Sequence, residues 1–268
     1  MTQPARPPVV ITRPLAQAIA LQDKIARLCR DTLLFPLLEI HPLDDNRELD
    51  AALAGLERHA LVAFVSPNAI DAAFARRSLW PAQVPLAVMG EGSRQALARH
   101  GITAATTRIF SPQDAERTDS QTLLAALDLP ALAGQEVLIV RGQNGRELLG
   151  DALRSAGVLV RQVPAYRRAA PRLDAHGVRR LQDMLATGCD WIITSSEALQ
   201  VLIEMVERAI EDPAVAAGGM SVVKLQQQTL IVPHVRIAET ARALGFCNVI
   251  QSASGDEGLL AALQFTDE

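Results

Sequence analysis

The phrases ITRP at 11 to 14 and IVRG at 139 to 142 stand 128 positions apart, and the segments after the first recur after the second in the same order. FVSPNAI at 64 to 70 matches ITSSEAL at 193 to 199 with Ser66 over Ser195, 129 apart, and LLAAL occurs at both 123 and 259. The helix-ending glycines Gly101 and Gly245 differ by 144. Matches in one order at a nearly constant offset are the mark of an internal duplication, which restricts the chain to folds that one half can make and the other can repeat. The drift in offset places extra residues in the second copy, around EDPAVAAGG at 211 to 219, which reads as a loop.

The repeated unit is an alternation of short β-branched runs with longer segments of helical period, the pattern of a parallel α/β fold. PVVIT leads into a helix near 15 to 30, LVAFVS into one near 68 to 78, and LAVMG into one near 92 to 100. TRIFS precedes DSQTLLAAL, where Asp119 or Ser120 can cap. In the second half EVLIV precedes a helix near 145 to 156, DWIITS one near 196 to 210, QTLIV one near 235 to 244, and CNVIQS a closing helix near 256 to 264. Two segments stand apart from this scheme: LLFPLLEI at 33 to 40 and LVRQVPAYRR at 159 to 168. They align at the same offset, Pro36 over Pro164 and Leu38 over Tyr166, and a proline suits a peripheral or connecting strand better than a central one. Both read as paired crossover strands that do not fit inside a compact α/β unit.

Composition narrows the function. Half the 268 residues are hydrophobic, enough for a substantial core, but aromatics are only 3%, too few for a surface that stacks nucleic-acid bases. A net charge of −4 also argues against a general polyanion face, so any positive site is local. All but two of the 26 basic residues are arginines, whose planar fork suits carboxylates; a GC-rich coding sequence explains the same bias. No apolar run reaches the roughly 18 residues of a membrane span, and the start MTQPARPPVV has no secretion signal, so a cytoplasmic protein without membrane contact is expected. Cys29, Cys189 and Cys247 are scattered and read as buried, inert thiols, and no metal-ligand spacing or Ser-His-Asp order is present. Asp44, Asp45 and Glu48 fall in an expected loop, and Glu204, Glu207 and Glu211 on a solvated helix face.

TRP at 12 to 14, SPNAI at 66 to 70, RGQNGRELL at 141 to 149, VPAYRR at 163 to 168, TSSEAL at 194 to 199 and RIAETARALGF at 236 to 246 together resemble the uroporphyrinogen-III synthase family. The resemblance spans nearly the whole chain. It departs at Val65, where the family usually carries Thr before the serine. It implies two similar parallel-sheet α/β domains joined by a two-stranded β-ladder, with crossovers near 35 to 40 and 163 to 168. Residues 1 to 37 with 169 to 268 would form a discontinuous domain, 38 to 168 an inserted one, and the active site would lie in the cleft between them. Ligands beyond the carboxyl ends of parallel strands are also the general rule for such sheets.

The stretch IVRGQNGREL poses a sharper question, since Gly142 and Gly145 stand where a strand turns into a helix, flanked by Arg141 and Arg146. It lacks the spacing and lysine of a nucleotide-binding P-loop and the GxGxxG of a dinucleotide site. The glycines alone are explained by a tight turn. Helix-start amides nevertheless attract carboxylates as well as phosphates, and the substrate that the resemblance implies, hydroxymethylbilane, carries acetate and propionate groups on every ring. Ser66, Asn68, Thr194, Ser195 and Ser196 set small polar groups at strand-to-helix turns, and helix capping alone also explains such residues; Thr12, Gly90 and Ser93 join them as candidates for substrate binding. Arg13, Arg141 and Arg236 sit beside these turns as counter-charges, with Arg146 in the same loop, and His234 can donate to a carboxylate or be structural. Arg167 and Arg168 read as ordinary ladder residues.

The family's reaction removes the terminal hydroxyl of the bilane as water, generates an azafulvene-type cation and recloses the macrocycle with ring D inverted, with no metal or organic cofactor. Because the bilane cyclises unaided to the unflipped isomer, conformational control is the enzyme's main task, and such positioning is worth roughly 7–11 kcal/mol in favourable cases. Tyr166, the one tyrosine of the chain, matches the family's tyrosine after the crossover proline. A phenol is protonated at neutral pH, as a general acid must be, and packing across the ladder is its structural alternative. A monomer is expected. The competing reading is a non-catalytic two-lobed protein that closes around an anionic small molecule; architecture alone does not separate the two.

Overall fold

The computed structural model of the chain describes residues 6–112, 120–144 and 147–265. The strands are β1 (Val9–Ile11), β2 (Thr32–Leu34), β3 (Glu39–His41), β4 (Leu61–Phe64), β5 (Leu86–Val88), β6 (Ile109–Phe110), β7 (Glu136–Gly142), β8 (Leu159–Ala169), β9 (Asp190–Ile192), β10 (Thr229–Val232) and β11 (Asn248–Gln251). The helices are α1 (Leu15–Ala26), α2 (Arg47–Ala54), α3 (Pro67–Phe74), α4 (Glu91–Arg99), α5 (Ser120–Ala125), α6 (Leu129–Leu132), α7 (Leu148–Ser155), α8 (Ala175–Thr187), α9 (Ser196–Ala209), α10 (Pro213–Ala217), α11 (Val222–Gln226), α12 (Val235–Ala243) and α13 (Gly255–Phe265). Backbone contacts divide the chain into two compact units, Met1–Glu39 with Ala169–Glu268, and Ile40–Arg168. Among the described residues no helix is long and apolar enough to cross a membrane.

The first unit is built on a five-stranded sheet, β11-β10-β9-β1-β2, parallel throughout. Its central strands are apolar on both faces, as a parallel sheet covered on both sides requires. Val10, Trp191, Leu230 and Val232 point to the side covered by α8, α9, α11 and α12. Val9, Ile11, Ile192 and Ile231 point to the side of α1 and α13. At the amino end of the sheet Arg30 donates to Asp190 at 2.6 Å and to the carbonyl of Pro7 at 2.6 Å, both side chains buried. That ion pair ties the α1–β2 turn to the first residue of β9.

The second unit carries the sheet β3-β8-β7-β4-β5-β6, parallel from β8 to β6. Val62, Phe64, Leu138 and Val140 face α2, α3 and α4, while Leu61, Ala63, Val137 and Ile139 face α5 and α7. His59, wholly buried, stands 3.2 Å from Glu136 at the amino end of this sheet. Taken from β2, the first sheet runs β2-β1-β9-β10-β11, and the second, apart from β3, runs β8-β7-β4-β5-β6. The strands bearing ITRP and IVRG, and those before SPNAI and SSEAL, hold corresponding places in these orders. Gly101 and Gly245 close α4 and α12 with positive φ angles of 77° and 87°, a conformation that favours glycine at a helix exit.

The structure corrects several sequence expectations. The segment at 159 to 168 neighbours β3, which begins at the end of the 33 to 40 segment, as a pair of crossover strands requires, but it is also part of the second unit's sheet: β8 pairs with β7 over seven positions. Its proline is tolerated because Pro164 lies beside a bulge, where ladder pairing is already broken. Glu48 is in the first turn of α2, where Leu49, Ala52 and Leu53 supply a buried stripe, so only Asp44 and Asp45 remain in the preceding loop. EDPAVAAGG contains the short α10, capped by Asp212 through the amide of Ala214 at 2.9 Å. Cys29 and Cys247 are exposed and only Cys189 is buried, where desolvation pushes its thiol up to about 11. Asp119 and the side chain of Ser120 fall outside the described residues.

Candidate active site

In the second unit the chemistry gathers where β4, β7 and β8 end. Ser66 comes after β4 with an extended backbone, its hydroxyl accepts from the amide of Ala69 at 3.2 Å, and Pro67 occupies the first helical position of α3. The same hydroxyl lies 3.1 Å from the hydroxyl of Tyr166. Asn68 stands in the first turn of α3. Gly90, with extended backbone, starts α4, and Ser93 is buried in its first turn.

A bulge explains why Tyr166 reaches Ser66. Along β7, Leu138, Val140 and Gly142 share the face toward α3, and along β8 Val163 and Ala165 lie in the same core. Strict alternation would send Tyr166 to the opposite face. Between Arg141 and Gly142 the register shifts, so that Arg141 pairs with Pro164 but Gly142 pairs with Tyr166, and the extra residue turns the tyrosine back toward α3. Tyr166 is only 4% exposed. Its ring occupies the space a side chain at 142 would need: a Cβ there would lie 3.0 Å from its ring carbon Cζ and 3.1 Å from its oxygen.

The turn after β7 is tied down on several sides. The amide of Gln143 donates to the carbonyl of Tyr166 at 2.8 Å, and Arg168 donates to the carbonyl of Asn144 at 3.1 Å. Arg141, nearly buried, donates to Glu147 at 2.7 Å and to Gln162 at 2.6 Å, while Gln162 donates to the other oxygen of Glu147 at 2.7 Å. Hydrogen bonds from Gln162 and then Arg141 hold the Glu147 carboxyl below the usual range. The carboxylate at the start of α7 is thus the chain's own, with Glu147 in the cap position. Gly145 and Arg146 lie outside the described residues.

In the first unit the corresponding strand ends carry a polar set without a tyrosine. Thr12 is buried and donates to the carbonyl of Ile192 at 2.6 Å, linking the ends of β1 and β9. Arg13 binds Asp256 at 2.7 Å, and Lys24 reaches the other oxygen of Asp256 at 3.0 Å. Burial pushes the Asp256 carboxyl up, but the hydrogen bonds and charges of Arg13 and Lys24 outweigh it and the group stays below its ordinary value. Ser195 caps α9 through the amide of Ala198 at 3.0 Å, Ser196 meets Thr240 at 3.2 Å, and Thr194 is half-buried between strand and cap. His234 precedes α12 with its Nδ1 3.3 Å from the hydroxyl of Ser254. Arg236 is exposed, and its guanidinium makes no ion pair among the described residues.

A family model described as "Uroporphyrinogen-III synthase HemD" matches residues 19–261. The chain belongs to the uroporphyrinogen-III synthase family. It is 31% identical to the uroporphyrinogen-III synthase of Escherichia coli over 264 residues, 96% of this chain and 99% of that one, and 31% identical to the Salmonella typhimurium enzyme over the same span. Its fold is similar to a solved mutant uroporphyrinogen III synthase of Thermus thermophilus (TM-score 0.55, 17% identity, 97% of each chain). It is equally similar to the Helicobacter pylori uroporphyrinogen-III synthetase (TM-score 0.56, 13% identity, 98% of this chain and 100% of that one). Glu147, Gln162 and Asp256 complete the ion-paired turns and were not foreseen from the sequence. Glu147 carried a usable signal, six positions from an arginine at a helix start; Asp256, 243 positions from its partner, carried none.

Proposed function

We propose that this chain is a uroporphyrinogen-III synthase that converts hydroxymethylbilane to uroporphyrinogen III in haem biosynthesis, with loss of water and inversion of ring D. The observation that carries this reading is the family match over nearly the entire length, with the relative's whole length covered in return. The reaction is a dehydration with rearrangement of carbon–carbon bonds and no net change of oxidation state. Acid–base groups and positioning therefore suffice, and we read the enzyme as cofactor-independent, cytoplasmic and monomeric.

In this reading the chain is a duplicated pair of lobes, residues 1–37 with 169–268 and residues 38–168. They are joined by crossovers near 35–40 and 163–168, and the bilane lies in the cleft between them. The matching strand orders and the division of backbone contacts support the duplication. Turn amides and hydroxyls at Ser66, Asn68, Gly90, Thr194, Ser195 and Ser196 hold the substrate's carboxylates, assisted by Arg236, His234 and Arg146. Arg13 and Arg141 shape the turns through their own carboxylate partners, Thr12 and Ser93 hold strand and helix ends in place, and Gly142 leaves room for the ring of Tyr166. Tyr166 protonates the leaving hydroxyl. Incubating the protein with freshly generated hydroxymethylbilane and separating the product isomers tests the proposal. Type III product is expected, and the type I product of a protein-free control would refute it and favour a binding protein.

A further inference from the structure

We infer that Ser66 is a positioning residue whose hydroxyl donates to the Tyr166 oxygen, leaving the tyrosine's own proton free for the substrate. This rests on the reading of Tyr166 as the proton donor. The Ser66 hydroxyl has one proton and two lone pairs. One lone pair takes the amide of Ala69 at 3.2 Å, and the contact to Tyr166 at 3.1 Å is its remaining side-chain bond. If Tyr166 donated, Ser66 would accept twice and its proton would have no protein partner among the described residues. If Ser66 donates, its proton binds the phenol oxygen, and the proton left without a protein partner among the described residues is the phenol's, the one the reaction needs.

The surroundings favour the same polarity. Ser66 stands at the amino end of the eight-residue α3, whose dipole favours negative charge on a nearby oxygen. The ring lies close against Gly142, in the space a side chain there would fill. In the reaction the Tyr166 O–H bond breaks, its proton passes to the departing hydroxyl, the carbon–oxygen bond breaks and water leaves. The phenolate formed accepts the Ser66 hydrogen bond at the moment it gains charge. The proton lost from the pyrrole carbon when the ring closes restores the phenol, so atoms and charge balance. The first unit contains the same cap at Ser195, with Leu38 at the sequence position aligned with Tyr166, so the arrangement occurs in one unit only.

Tyr166 is the chain's single tyrosine, so tyrosinate absorbance reads this residue alone. In Ser66→Ala the titration midpoint should rise by about one pH unit, since the anion loses a donated hydrogen bond. With hydroxymethylbilane, kcat should fall about tenfold with KM little changed, the counterpart of that shift. Ser66→Thr should restore both, and Ser66→Gly, which weakens a helix cap far less than alanine does, should reproduce the alanine result in a folded protein. A midpoint that stays or falls in Ser66→Ala, or an unchanged kcat, overturns the inference. The absorbance arm needs no substrate, so failure of the proposed reaction would show separately as absence of type III product from the unaltered protein.

Discussion

In the unit of residues 40–168, Ser66 caps α3 and meets Tyr166; in the other unit Ser195 caps α9 in the same way and meets no tyrosine. The contrast extends along the matched strands. Arg13 and Arg141 correspond, and each is neutralised by a carboxylate of its own unit, Asp256 and Glu147. The next positions diverge: Pro14 stands before α1, while Gly142 makes room for an aromatic ring. Two positions beyond the aligned prolines, Leu38 joins the apolar core and Tyr166 offers a hydroxyl. The two units therefore share what shapes a turn and differ in whether a phenol stands beside the serine cap.

The largest expected effect concerns the amino ends of the sheets, where the two units use different locks. Arg30→Met leaves Asp190 charged and buried, and should lower stability to denaturant by about 3–5 kcal/mol. His59→Gln in the other unit should cost markedly less, because Glu136 keeps access to water. Equal losses would mean that the two locks are equivalent. Next comes Gly142→Ala, which presses a methyl group against the tyrosine ring. A fall in kcat of about tenfold is expected there from displacement of the tyrosine if it is the proton donor, whereas Pro14→Ala should leave kcat unchanged.

The paired carboxylates give a smaller effect that depends on pH. Asp256 has its folded-state pKa depressed, so its contribution to stability is present above the ordinary carboxylate range and disappears as pH falls through the lowered value. Asp256→Asn should lower stability by about 1 kcal/mol at neutral pH, and thermal melts should show the difference from the parent vanishing in acid. Glu147→Gln should show the same sign of pH dependence in a more exposed setting. The smallest effect belongs to Arg236, whose charge has no ion-pair partner among the described residues. Arg236→Ala should raise KM about threefold to tenfold with kcat nearly constant, the signature of lost uniform binding; a selective fall in kcat would move this residue into the chemistry.

The strand and helix order was legible because each β-branched run and each amphipathic helix is specified locally, and the caps at Ser66 and Ser195 announce themselves by Ser at the turn with a helical run behind it. Neither α2 nor α8 was anticipated; the acidic opening of α2 resembles a solvated loop until the spacing of Leu49, Ala52 and Leu53 is weighed. The exposure of Cys29 comes from its place just past the end of α1, where the backbone turns to a φ of 55°, and nothing in ARLCRD signals that. The bulge in β8 lies further from reach. It exists only in the pairing of two strands, and a one-residue slip decides which face receives the tyrosine. Sequence named Tyr166; only the register shows why it touches Ser66.

The central claim is that turn geometry selects the isomer while one tyrosine supplies the proton, and the product of Tyr166→Phe under single-turnover conditions with enzyme in excess tests it most directly. The account predicts type III product formed about a hundredfold more slowly than by the unaltered protein, within the usual range for a lost general acid. Type I product from a fully bound substrate, or type III product at an undiminished rate, would contradict it.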